Sequence, residues 1–423
     1  MNMLEKRYKA MNVSEQYWWK VVALCFAGWV LMYADRTILG PVMGKIAEEY
    51  GLNNTQLGAV NSIFFLTYAI MQIPFGIVGD MVGRRLVIAF GFVLFGITTG
   101  LSGIAGTLGM FMIYRALTGV GEGAYYGPQY ALSGEAIPTK SLTLGTAIIN
   151  SGMAFGTSGG YLLSSYLVLE KGNHWSLPFF IMAVPTVIVG LLFMTLKERV
   201  IKPEDVGKEI KKSENTEAKI EKKSGLSVFK NKNLVCAFLL LFCSIYANFV
   251  IITWLPRFLQ IERGFEGTSV GFISSLVPWA SVPGALIISR LSDKLKKTKI
   301  FVFSLVPLAL ISTFGMAYVT DRTVLILMLI LYGLTGKLAL DPILVTYVTR
   351  NSPKEALGTA LSAYNFIGMS AAITAPYVTG WIADRFGSMQ AGFYLASALL
   401  LVGMIIFSAA SESAGREESV GAV

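Results

Sequence analysis

Twelve apolar stretches, each about the 20 residues that a helix needs to cross a bilayer, constrain this 423-residue chain more than any other feature. Their approximate limits are 18–40, 55–79, 85–105, 108–133, 143–168 and 175–196, then 233–256, 268–291, 300–318, 323–348, 357–382 and 389–411. Lipid offers no hydrogen bonds to a backbone, so such stretches are expected to fold as α-helices and the chain as an all-α membrane protein. Charged residues are only 14% of the chain, against about a quarter in soluble domains. The three cysteines, Cys25, Cys236 and Cys243, lie in apolar runs with no metal-ligand spacing and no disulfide framework. His174 is the only histidine. These counts argue against a soluble enzyme, and no metal, cofactor or nucleophile motif appears. The first stretch does not read as a signal peptide, because a charged segment precedes it and it contains Asp35 and Arg36.

The stretches divide six plus six around a polar middle rich in Lys and Glu. This predicts an N-terminal bundle over 1–196, a cytoplasmic linker over 197–232, and a C-terminal bundle with a short cytoplasmic tail over 233–423. With both termini placed in the cytoplasm, 26 of the 35 Lys and Arg fall on that side and 6 outside; without the middle loop the split is still 15 to 6. The basic excess is therefore a topology signal for the cell membrane, with no nucleic-acid partner implied. A weak internal repeat links the halves. Gly76-Ile-Val-Gly-Asp80-Met-Val-Gly83-Arg84-Arg85 closes the second stretch, and Ser289-Arg-Leu-Ser-Asp293-Lys-Leu-Lys296-Lys297 closes the eighth. Duplicated six-helix halves are a transporter architecture.

Four charges fall inside spans. Asp35 and Arg36 lie in the first, Arg115 and Glu122 in the fourth. Seven residues of helix put Arg115 and Glu122 on one face about 10 Å apart. A charge at the bilayer centre costs about 2.5–3.5 kcal/mol on insertion scales, so these groups are expected to face a cavity and not lipid. Burial and a neighbouring arginine act on a carboxyl in opposite senses, and a protonation switch coupled to binding requires that competition. The alternative is a structural salt-bridge network that only holds helices together.

The segment from Gly76 to Arg85 resembles the loop signature of the major facilitator superfamily, with Met81 in place of the usual base. Tyr33-Ala-Asp35-Arg36, Tyr68 to Pro74, Arg115 to Pro128, Thr253 to Leu259, Asn365-Phe-Ile-Gly and Ala375 to Gly380 are similar to its anion:cation symporter branch, which includes sugar-acid, glutamate and sialic acid carriers. The resemblance implies a twelve-helix fold of two pseudo-symmetric bundles. It implies proton-coupling roles for Asp35 and Glu122, and substrate-binding roles for Arg115, Arg36, Tyr68 and Asn365. Arg115 is the preferred carboxylate anchor, since guanidinium presents a planar fork. Asp80, Arg84 and Arg85 would form a gating turn. Where sugar-acid members carry Gln on the fifth helix this chain has Met153, which weakens a polyhydroxylated substrate and favours a smaller or more apolar acid. Lys337 and Asp341, one turn apart on the tenth span, are also unexpected. They are either a self-neutralising pair or a further cationic anchor.

The expectation is a monomeric secondary transporter that imports an organic carboxylate, a sugar acid or small organic anion, by proton symport, with sodium as the other possible coupling ion. An exchanger or exporter of the same fold, and a non-transporting membrane sensor, are the alternatives. Trp18, Trp19, Trp175 and Trp254 near span ends predict an interfacial belt. Gly152 and Gly156 predict close helix packing.

Overall fold

The computed structural model describes residues 16–138, 141–198, 225–295, 297–353 and 356–412. Most of the expected linker (199–224), the segment before residue 16, the tail after 412, and Lys296 of the repeated motif lie outside the described residues. Among the described residues there is no strand. The α-helices are α1 (Tyr17–Tyr50), α2 (Asn54–Val82), α3 (Arg84–Ser102), α4 (Leu108–Gly123), α5 (Tyr126–Ala136), α6 (Leu142–Ser164) and α7 (Leu177–Phe193). They continue as α8 (Lys232–Arg263), α9 (Thr268–Leu295), α10 (Thr298–Tyr318), α11 (Arg322–Thr335), α12 (Lys337–Asn351), α13 (Leu357–Phe386) and α14 (Gln390–Ser408).

Every apolar stretch read from the sequence coincides with helix. Among the described residues nine helices, counting α11 and α12 together, are long and apolar enough to span, and Leu177–Phe193 is a shorter apolar one. Two stretches that read as continuous are broken. The fourth span parts at Ala124 and Tyr125 into α4 and α5, four residues before Pro128, which has no N–H to return to the Ala124 carbonyl. The tenth parts at Gly336, whose backbone leaves the helical region (φ −76°, ψ −151°). The fifth span continues from α6 into a π-helical turn, Ser165–Glu170.

Local signals set the ends. Asn53 begins α2 with a reciprocal capping box: Gln56 N donates to Asn53 Oδ1 at 2.9 Å and Asn53 N to Gln56 Oε1 at 3.0 Å. Gly51 closes α1 in the left-handed region (φ 65°).

The chain forms two compact units, Met1–Glu217 with Thr253–Ser275, and Ala218–Ile252 with Leu276–Val423. In the first, α6 lies along α1 with Gly152, Gly156 and Gly160 against the carbonyls of Phe26, Val30 and Ala34, with no room for a Cβ. Both sets recur every four residues, so the two backbones touch along one seam. Helix α3 packs on α4 and α7, and α2 packs on α4. The end of α8 joins this unit: Gln260 Nε2 donates to the Pro41 carbonyl at 3.0 Å and Arg257 Nε to Asn54 Oδ1 at 3.1 Å. In the second unit, α10 packs on α11 and α14 as α3 packs on α4 and α7, and α13 packs on α14 and α12. The expected tryptophan belt is corrected. Trp19 is exposed, but Trp254 and Trp175 are buried, Trp175 donating its indole N–H to Glu49.

Candidate functional site

The first unit gathers all four of its intramembrane charges. Glycines on α4 make this possible: Gly119 sits against the Phe64 carbonyl of α2, and Gly121 against the Gly91 carbonyl of α3 at a would-be Cβ distance of 2.6 Å. With its neighbours this close, α4 presents Arg115 and Glu122 to α1. Arg115 Nη1 pairs with Asp35 Oδ2 at 2.9 Å, and both side chains are fully buried. Thr99 Oγ1 on α3 donates to the other oxygen, Asp35 Oδ1, at 2.6 Å. Arg36 Nε pairs with Glu122 Oε2 at 2.7 Å. Neighbours on α1 thus diverge to partners seven residues apart on α4. Two acids and two bases cancel, which is how a low-dielectric interior tolerates them.

The two pairs differ in access and saturation. The Arg36 side chain keeps 8% of its exposure, whereas Arg115 keeps none. Arg36 Nη2, Glu122 Oε1, and Arg115 Nε and Nη2 are buried without a hydrogen-bond partner. The Arg36 guanidinium lies 4.5 Å from the Tyr68 ring centroid and 4.9 Å from that of Tyr33. Beyond Tyr33 the aromatic wall runs through Trp29 and Tyr126 to Tyr130, whose hydroxyl donates to Asn150 Oδ1 at 3.0 Å. Of these residues the sequence reading named Tyr68 for the site. Thr99, Tyr33 and Tyr130 escaped it, because a threonine or tyrosine in an apolar helix looks alike whether it meets a carboxylate or a backbone carbonyl.

The turn from Asp80 to Arg85, expected to gate, is held by ion pairs and hydrogen bonds. Arg84 bridges Asp80 Oδ1 (Nη2, 3.0 Å) and Glu135 Oε1 of α5 (Nη1, 2.5 Å). Arg85 Nη1 donates to the Leu196 carbonyl at 2.7 Å, and its backbone N–H donates to Glu198 Oε2 at 3.1 Å. Glu198 therefore caps the start of α3, beside Gly83 at φ 109°, where a Cβ would strike the carboxylate. Burial raises the Glu198 carboxyl above the ordinary glutamate range, with the Arg85 and Arg84 amides pulling the other way. Glu135 and Glu198 carry no signal in a single sequence, since both fall just beyond an apolar stretch, where charge is ordinary.

In the second unit Lys337 Nζ pairs with Asp341 Oδ2 at 3.1 Å, and Tyr364 on α13 donates to Asp341 Oδ1. Asn365, the expected polar residue, is exposed, and its neighbour Tyr364 makes the contact with Asp341. Tyr246 is buried in this unit as well. Among the described residues no group of three or more His, Cys, Asp and Glu is placed to hold a metal ion.

Each unit thus holds a broken span beside an ion pair. The profile of the Major Facilitator Superfamily matches residues 25–376 and 264–420. The chain belongs to the major facilitator superfamily. A putative tartrate transporter of Agrobacterium vitis is 25% identical over 409 residues, 93% of this chain and 94% of the relative. The D-galactonate transporter of Escherichia coli O6:H1 is 24% identical, covering 91% and 94%. The probable galactarate/D-glucarate transporter of Bacillus subtilis is 24% identical, covering 92% of each. Among solved structures, a D-xylose-proton symporter matches with a TM-score of 0.74 at 16% identity, over 95% of this chain and 99% of that one. The protein is thus a multi-pass membrane transporter and not an enzyme, and its relatives' names accord with the anion:cation symporter branch.

Proposed function

We propose that this transporter imports an organic carboxylate, a sugar acid or a small organic anion, by proton-coupled symport with alternating access, across a cell membrane with both termini cytoplasmic. One observation carries the reading: the buried Arg36–Glu122 pair keeps an unused donor, Arg36 Nη2, and an unused acceptor, Glu122 Oε1. A proton on Glu122 weakens its hold on Arg36, and the guanidinium fork then accepts a substrate carboxylate in its place. Asp35 is the second proton-coupling acid, held in reserve by Arg115 and Thr99. Arg36 is the group that first meets the anion, because Arg115 is sealed against Asp35; Arg115 contributes by setting the charge of that acid. Tyr68 lines the anion's seat, and Asn365 and Lys337 are the second unit's substrate-binding residues. Asp80, Arg84 and Arg85 gate the cytoplasmic side, with Glu135 and Glu198 as their partners. The names of the relatives, tartrate, galactarate/D-glucarate and D-galactonate transporters, support a hydroxylated carboxylate as substrate.

The test is uptake of labelled aldonates, aldarates, uronates and small mono- and dicarboxylates into proteoliposomes, with and without an inward proton gradient. One acid should accumulate several-fold over its equilibrium level only when the gradient is imposed. Accumulation driven by sodium alone, or label exchange at equal pH without net uptake, would overturn proton symport.

A further inference from the structure

Two helices that follow the repeated motif begin without a capping side chain of their own. Gly83 precedes α3 and Lys297 precedes α10, and neither side chain accepts a bond from its helix, so the first N–H groups need partners from elsewhere. Each unit supplies one in the same way. In the first, Glu198 Oε2 accepts from the Arg85 N–H at 3.1 Å. In the second, Glu412 Oε1 accepts from the Thr298 N–H at 2.7 Å and Glu412 Oε2 from the Lys299 N–H at 3.2 Å. The Arg85–Glu198 and Lys299–Glu412 bonds span the same 113 residues. The surroundings repeat as well. Each glutamate stands just beyond the last helix of its half, α7 or α14. The basic side chain on the capped turn donates to a carbonyl at or just past the end of that helix: Arg85 Nη1 to Leu196 at 2.7 Å, and Lys299 Nζ to Ser408 at 3.3 Å. The residue before each glutamate is tied to the opening turn of the half's first helix. Tyr17 donates its hydroxyl to the Lys197 carbonyl at 2.9 Å, and Asn233 Oδ1 accepts from the Ser411 N–H at 2.9 Å. Glu412 is itself exposed, but Thr298 is buried, so water is a poor substitute at its amide.

We propose that Glu412 is a positioning residue that holds the basic turn of the second unit, Lys297 to Lys299, in the shape a gate needs, as Glu198 holds Gly83 to Arg85 in the first. The inference rests on the gating role proposed above for Asp80, Arg84 and Arg85, and it adds a second gating turn of the same build. By taking two consecutive N–H groups on its two oxygens, Glu412 fixes the backbone that carries Lys297 and Lys299. Asn233 holds the strap from which Glu412 reaches the helix. Without the cap the first turn of α10 frays, and the bases on it lose a fixed position. Neither glutamate touches the solute in this role, so the rate of the conformational step changes and the affinity does not.

The experiment measures uptake of D-galactonate and of galactarate into proteoliposomes by wild type, Glu412→Ala, Glu412→Gln, Asn233→Ala and Arg85→Gln. Rates are expressed per folded transporter, counted as the monodisperse peak in size-exclusion chromatography. Glu412→Ala should lower kcat by about fivefold or more and leave KM unchanged. Glu412→Gln keeps an oxygen for the amides and should recover most of the lost rate. Asn233→Ala frees Ser411 without touching Glu412; it should lower kcat in the same way, and it decides the matter if Glu412→Ala does not fold. Backbone amide exchange at Thr298 and Lys299 should quicken by about tenfold in Glu412→Ala, whatever the solute. An unchanged kcat in Glu412→Ala beside a slowed Arg85→Gln, a loss that Glu412→Gln does not recover, or unchanged amide exchange would overturn the proposal. A normal kcat in Arg85→Gln would instead overturn the gating reading beneath it. Uptake of neither acid by wild type would overturn the organic-anion reading, and amide exchange then decides whether Glu412 holds the turn.

Discussion

Asp35 and Arg36 are chain neighbours with different partners, and that difference separates two kinds of arginine. Arg115 is enclosed by protein and answers a buried carboxylate, so altering it leaves Asp35 without its counter-charge. Losing one partner of such a pair costs about 3–5 kcal/mol. Arg36 has an aromatic bed and keeps 8% of its side-chain exposure, so its loss is expected in binding more than in folding. Arg36→Lys should raise KM for the transported anion by about ten- to a hundredfold, as one charge-assisted hydrogen bond of about 1.5–3 kcal/mol is lost, with little change in thermal midpoint. Arg115→Gln, which removes that counter-charge, should lower the midpoint markedly. Uptake kinetics and thermal unfolding in detergent on both variants check this, and equal effects on both readouts would contradict the division. The four charges were legible in the sequence because charge inside an apolar stretch is conspicuous. Their supports, Thr99 and Tyr33, were not, since neither residue type is unusual in a membrane helix.

Helix by helix, glycines decide how near the charged side chains come. The α6 seam on α1 is drawn tight by Gly152, Gly156 and Gly160, while Gly159, one position away, faces open space. Gly156→Leu should push α6 off the Val30 carbonyl and destabilise the protein by about 1–3 kcal/mol or more. Gly159→Ala should be neutral or slightly stabilising, because alanine is the better helix former. Thermal unfolding midpoints of the two variants make the comparison, and similar losses would refute the seam. The spans themselves were legible from length and hydropathy. The Gly152/Gly156 spacing foretold close packing but not the partner. The breaks in the fourth and tenth spans were hidden, because an apolar run reads the same whether or not the backbone turns within it.

For the molecule as a whole, the paired contacts of α3 and α10 give structural form to the weak repeat around Asp80 and Asp293. The charge imbalance predicts a direction for that repeat across the membrane. A single cysteine at His174, whose side chain is largely exposed, should react with a membrane-impermeant maleimide in intact cells. One at Leu142, at the start of α6, should react only after permeabilisation. Cys25, Cys236 and Cys243 are buried and should stay silent, so the native background is low. Labelling of Leu142→Cys in intact cells would invert the topology.

Class, span positions and the placement of charges within spans all follow from one-dimensional properties: the run length a bilayer demands and the cost of a charge within it. Hydropathy acts residue by residue, so it survives in the linear chain. Partnership does not. Asp35 meets Arg115 across 80 positions and Arg36 meets Glu122 across 86, through separations that no local pattern encodes. Which base is sealed, which is accessible, and which acid Tyr364 supports were settled when the helices packed, because burial and hydrogen bonding belong to neighbours in space.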